Sequence, residues 1–162
     1  MTSDDKPRQP WPADWTARRN DADRILSTFV KITGQAANGY LSTRAQIPGY
    51  SRVNWRDGHV YEPADLGPAD AHRFLADLLT VGCVLDQVLT AKVNYEILGN
   101  TVPHLHAHVV PRPQVDPTPC GALPWTFVDD HRPDPRTVRE LADQLRRRLA
   151  GRAEVAAAEP GR

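Results

Sequence analysis

Between Lys92 and Arg112 the chain reads KVNYEILGNTVPHLHAHVVPR, and its centre alternates His104, Leu105, His106, Ala107, His108 and Val109. In an extended strand successive side chains point to opposite faces. The three histidines therefore share one face, and Leu105, Ala107 and Val109 share the other. The apolar face can enter a core. The imidazole face must look into a polar cleft, because rings buried without partners are costly. Half of the chain's six histidines lie in these five residues, a concentration that asks for a chemical role.

Two chemistries use imidazoles in this spacing. A His-x-His pair on a strand can supply two ligands to one metal ion. Imidazole is also a nucleophile and a proton shuttle near neutral pH. A metal site would want a further carboxylate or thiol, and this stretch offers Glu96 alone, so nucleophilic chemistry leads. A polar strand face that is merely rich in histidine is the third reading, and strict period-two spacing argues against it.

His-Leu-His-Ala-His-Val-Val resembles the signature of the histidine triad family, His-φ-His-φ-His-φ-φ with φ apolar. Lys92 to Pro103 before it, and Pro111-Arg112 after it, resemble bacterial members related to diadenosine tetraphosphate hydrolases. The likeness covers residues 38–150 in layout and is specific over 92–112. It implies an α+β histidine triad fold: an antiparallel sheet of about five strands, a long covering helix and a C-terminal helix.

The resemblance also implies roles. His106 is the nucleophile, attacking the α-phosphate of a dinucleoside polyphosphate or nucleoside phosphoramidate to give a nucleotidyl-histidine. It must be neutral to attack, and a backbone carbonyl is implied as the partner of its other ring nitrogen. His108 contacts the phosphate and leaving group, and His104 supports the hydrogen bonding. Asn100 and Thr101 contact phosphate from the turn before the histidine strand, Asn94 orients the site, and His59 lies near it. No cofactor or protein-bound metal is implied, and a divalent ion can accompany the nucleotide. Some members carry a Cys-x-x-Cys zinc pair near the N-terminus. Arg24 and Ser27 stand at that spacing here, so no structural zinc carries over. Members are commonly homodimers. Many have Gly-His where this chain has Gly49-Tyr50, in the hairpin that lines the nucleoside pocket.

Composition is consistent with such an enzyme. The 162 residues suit one domain, and equal numbers of basic and acidic residues, 20 of each, argue against charge-driven nucleic-acid binding. No apolar run approaches a membrane span, the N-terminal residues lack a signal peptide's apolar core, and Cys83 and Cys120 make no disulfide framework. A cytoplasmic protein is expected.

Taken in order, residues 1–20 read as a flexible arm, 21–151 as the histidine triad domain and 152–162 as a disordered tail. Ile25, Leu26, Phe29 and Ile32 predict a helix from Asp21 to Gly34. Tyr40 to Ala45 and Tyr50 to Trp55 predict strands about a Pro48-Gly49 turn. Gly67-Pro68 opens a long apolar-faced helix with Cys83 as a small core residue, and Ala91 to Leu98 is a strand. A proline-rich loop follows over Pro113 to Pro124, then Trp125 and Phe127. Asp134-Pro135 opens a last helix with Val138, Leu141, Ala142, Leu145 and Leu149 as its stripe and Arg146, Arg147 and Arg148 near its C-terminal end.

The leading function is a nucleotide hydrolase or nucleotidyl transferase. The alternatives are a metal-binding protein using His104, His106 and His59, and a nucleotide-binding module without appreciable turnover.

Overall fold

Among the described residues, five strands pair into one antiparallel sheet. The computed structural model describes residues 29–33, 37–99, 102, 104–124 and 133–158. The strands are β1 (Phe29–Thr33), β2 (Ala37–Ser42), β3 (Ser51–Trp55), β4 (Val93–Glu96) and β5 (His106–Pro111), in the order β1-β2-β3-β5-β4. Two long helices, α1 (Pro68–Leu89) and α2 (Pro135–Ala158), complete the α+β architecture.

Alternation along the strands decides which face meets the helices. Ala37, Leu41, Val53, Trp55, Leu105, Ala107 and Val109 are buried against Phe74, Leu78, Val81, Val84 and Leu85 of α1 and Val138, Ala142, Leu145 and Leu149 of α2. The period-two reading of Leu105, Ala107 and Val109 holds, since all three are fully buried. Helix α1 begins at Pro68 after an extended Gly67, with Asp70 in its first turn, and closes on Thr90 in the left-handed region. The hydrogen bond from Thr90 N–H to the Asp86 carbonyl, 2.7 Å, ends it. Asp134 caps α2, its carboxylate accepting from the Arg136 and Thr137 N–H groups at 3.2 and 3.4 Å.

Several expectations change. Residues 29–33 form a strand, not the second half of a helix: Phe-Val-Lys-Ile-Thr has strong strand propensity, and pairing with β2 outweighs a short helical spacing. The part of that helix before Phe29 lies outside the described residues, as do the arm and Trp125 and Phe127. Helix α2 continues to Ala158, beyond residue 151 where the domain was expected to end. Arg146, Arg147 and Arg148 therefore sit inside the helix rather than at its C-terminal dipole, and Arg146 pairs with Asp143 at 2.8 Å. Cys83 is half-buried rather than core, with Arg152 Nη2 2.9 Å from its sulfur where α1 and α2 meet.

The turn from β2 to β3 aims one residue at the histidines. Gly49 takes φ +82°, a conformation that side chains rarely adopt, and a Cβ there would run into Leu89, then Leu85 and Pro111. The chain closes with Tyr50 N–H donating to the Ile47 carbonyl, 3.3 Å, and Ser42 N–H donating to the Tyr50 carbonyl, 2.9 Å. Tyr50 is thus clamped on both sides just before β3 begins. Among the described residues no helix is long and apolar enough to cross a membrane.

Candidate active site

Register places the polar residues of four strands on the sheet face away from the helices. Arg52 pairs with His108 and Asn54 with His106 between β3 and β5, while Tyr40 pairs with Arg52 and Asn38 with Asn54 between β2 and β3. On the other flank Glu96 of β4 pairs with His108. One row therefore runs Tyr40, Arg52, His108, Glu96, and a second runs Asn38, Asn54, His106. Asn54 Oδ1 is buried with no hydrogen-bond partner among the described residues, leaving an acceptor beside His106.

The two strand histidines are almost fully covered, His106 at 7% and His108 at 5% exposure, with ring centroids 5.0 Å apart. His106 Nδ1 lies 2.7 Å from the carbonyl oxygen of His104, which can only accept, so Nδ1–H donates and Nε2 keeps its lone pair. Burial holds the His106 imidazole below its ordinary pKa, with the Arg52 charge adding to the effect. Burial first, then His106 and Arg52, push His108 down to about 3. Both rings therefore favour the neutral form. The Tyr50 hydroxyl shares a hydrogen bond with His108 Nδ1, and the two rings stack at 5.9 Å.

His104 stands just before β5 rather than within it. Its Nε2–H donates to the Trp55 carbonyl at 2.9 Å, and its Nδ1 meets Nδ1 of His59 at 3.2 Å, the rings stacked. Burial lowers the His59 pKa, and the neighbouring His104 lowers it further. His59 is exposed, in the loop after β3, with its ring edge-on to Tyr61.

Four of the expected site residues, His59, His104, His106 and His108, thus form one connected group. Asn94 lies on the same sheet face but beside Val110, in a concavity with Lys92, Arg112 and Asp116 rather than against the histidines. Asn100 and Thr101 lie outside the described residues. Sequence reasoning passed over Arg52, Asn54 and the hydroxyl of Tyr50. The signal was present for the first two: alternation in Ser51 to Trp55 puts Arg52 and Asn54 opposite Val53 and Trp55. Among the described residues no three His, Cys, Asp or Glu side chains group as a metal site. A buried imidazole that favours the neutral form and keeps the Nε2 lone pair, with an Arg side chain across the sheet, is suited to attack an electrophile that carries negative charge.

A buried strand of alternating histidines on a five-stranded sheet backed by two helices defines a histidine triad protein. The family model described as the HIT domain matches residues 34–115, just over half of the chain. The chain belongs to that family. Its fold is similar to that of a histidine triad protein from Sinorhizobium meliloti 1021, with TM-score 0.68 and 23% identity over 78% of this chain and 93% of that one. A histidine triad protein from Bradyrhizobium japonicum gives TM-score 0.68 and 22% identity over 78% and 94%. Diadenosine triphosphate hydrolase from Plasmodium falciparum is more distant, with TM-score 0.51 and 14% identity over 72% and 73%. No curated protein matches the chain in sequence.

Proposed function

We propose that this protein cleaves nucleoside phosphate derivatives at the α-phosphate, as a hydrolase or nucleotidyl transferase, through a covalent nucleotidyl-histidine on His106. The substrate class is a dinucleoside polyphosphate or a nucleoside phosphoramidate. The hydrogen bond from His106 Nδ1–H to the His104 carbonyl carries this reading. It fixes the tautomer with Nε2 bare, and it stabilises the positive charge that the ring gains on attack. Nε2 forms a bond to the α-phosphorus while the bond to the leaving group breaks, the leaving group departing with the electron pair. Water then attacks the same phosphorus as the Nε2–P bond breaks, the nucleoside monophosphate is released, and the proton that water gives up balances the one the leaving group takes up. Another acceptor in place of water gives transfer.

The remaining residues position charge. Arg52, cross-strand from His108, offers a cation to the phosphate oxygens, and His108 offers a neutral imidazole to the leaving group. His104 and His59 brace the approach to the strand, and Asn100 and Thr101, as in the family, are assigned to phosphate contact. A family membership alone leaves the substrate open. Such substrates are intracellular nucleotides, so the cytoplasm is the compartment this reading implies.

The partner is a second copy of the chain. Strand β4 is a sheet edge, its Tyr95 is 41% exposed, and Leu79 of α1 is 57% exposed. An exposed edge flanked by large apolar side chains is a surface that proteins normally cover.

Intact-protein mass spectrometry after mixing with diadenosine tetraphosphate, and separately with an adenosine phosphoramidate, tests the chemistry. The expected result is an adenylate adduct on the native protein and none on His106→Asn, which still binds nucleotide. Turnover retained by His106→Asn would end the nucleophile assignment.

A further inference from the structure

Resting on the reaction just proposed, we infer that Tyr50 is a positioning residue: its hydroxyl donates to Nδ1 of His108 and holds that ring with the proton on Nε2, as a hydrogen-bond donor to the phosphate or leaving group. The two strand histidines are then set in opposite tautomers by opposite partners. A carbonyl, which can only accept, leaves His106 with a bare Nε2. A hydroxyl, which donates, leaves His108 with a protonated one.

The direction of that hydrogen bond follows from the groups present. A neutral imidazole has one N–H and one bare nitrogen, so fixing the role of Nδ1 fixes Nε2. The His108 ring is neutral, since burial beside His106 and Arg52 takes its pKa to about 3. The phenol ordinarily ionises near pH 10, so it holds a proton throughout the neutral range, and imidazole nitrogen is a good acceptor. Tyr50 is 3% exposed, and a buried hydroxyl proton requires an acceptor. Arg52 faces His108 from β3 as a cation and Glu96 from β4 as a carboxylate. Neither ionic group is the partner of Nδ1, because the Tyr50 hydroxyl holds that place.

The placement is built rather than incidental. Tyr50 is clamped by backbone hydrogen bonds to Ile47 and Ser42, Gly49 supplies the turn that precedes it, and its ring stacks on His108 with an interplanar angle of 23°. Loss of the hydroxyl alone therefore removes a donor without moving the ring. His108 would then be free to exchange tautomers, and the wrong one turns a lone pair toward anionic oxygen.

Nitrogen-15 NMR of the full chain labelled at histidine, without substrate, reads the tautomers directly. The expected spectrum shows His108 protonated at Nε2 and His106 protonated at Nδ1. In Tyr50→Phe the His108 signals should shift toward a mixture, and kcat on an adenosine phosphoramidate should fall at least about tenfold with KM changed less than about twofold. A native His108 protonated at Nδ1 overturns the proposal. So does a Tyr50→Phe protein with an unchanged tautomer, an unchanged kcat, or a change in KM alone. The native spectrum decides even if that variant does not fold. Absence of turnover on any nucleotide would remove the reaction, whereas the tautomer measurement would still judge Tyr50.

Discussion

His106 and His108 are the same side chain two positions apart on β5, and their surroundings give them different hydrogen-bond partners. Both are held below the ordinary imidazole pKa, so neither needs to lose a proton near neutrality before acting. The Arg52 charge contributes to both shifts and sits across the strand from His108. Arg52→Met is expected to lower kcat/KM by about 10- to 100-fold, the worth of a charge-assisted contact. Steady-state kinetics with the phosphoramidate checks this, and an unchanged kcat/KM would remove Arg52 from the site. The same shifts make a stability prediction. The unfolded chain takes up protons on these histidines near pH 6.5 while the folded one does not, so below that pH the unfolded state binds more. Stability is fully present above pH 6.5 and falls as the pH drops toward about 3, where His108 protonates in the folded protein. Each histidine contributes a slope of at most about 1.4 kcal/mol per pH unit. Urea unfolding at pH 7 and pH 5 measures it: replacing His108 by Gln should reduce the loss between them. At this scale the histidines were legible because they carry a rare spacing, while Tyr50 was not, because its hydroxyl matters only once β3 lies beside β5.

Elements differ in how much of their cause is local. Helix α1 could be read residue by residue, from Pro68 at its start to the apolar positions that meet the sheet. Helix α2 was equally legible at its Asp134 cap and stripe, but its far end was not. Strand β1 was misread, since five residues carry too little period and its stability comes from pairing with Ala37–Ser42. The turn into β3 is the element on which the site most depends. A Cβ at Gly49, φ +82°, would clash with Leu89 and press on Leu85 and Pro111, whereas one at Gly58, φ +79°, would meet nothing within 4 Å. Alanine at either position meets the left-handed backbone penalty of about 1–2 kcal/mol, and only Gly49→Ala adds crowding. Thermal unfolding should therefore show a lower Tm for Gly49→Ala than for Gly58→Ala. Equal losses would mean that the packing around the turn gives way freely.

At the scale of the molecule, one face of the sheet is sealed by both helices and the other gathers the polar rows. The β4 edge is the unfinished part. A second copy covering it would hide Leu79 and Tyr95, and analytical ultracentrifugation should give about twice the 18.0 kDa chain mass. Leu79→Arg should return the mass to that of one chain with a native circular dichroism spectrum, because Leu79 is mostly exposed within the chain. A native protein sedimenting as one chain at micromolar concentration would defeat the dimer.

The sequence by itself determined the family, the histidine strand, its buried face and the two helices. Each of these is written in local spacing, through a period of two, a period near 3.6, or a cap. Only the tertiary structure decided which residues stand beside the histidines. The antiparallel register of β3 on β5 brings Arg52 to His108 and Asn54 to His106 across more than fifty residues of chain. The turn at Gly49 likewise delivers Tyr50 to one ring, and the bend at His104 turns a carbonyl to the other. Register and turn geometry are settled by what buries well as a whole, so two identical side chains acquire different chemistry only when the sheet is assembled.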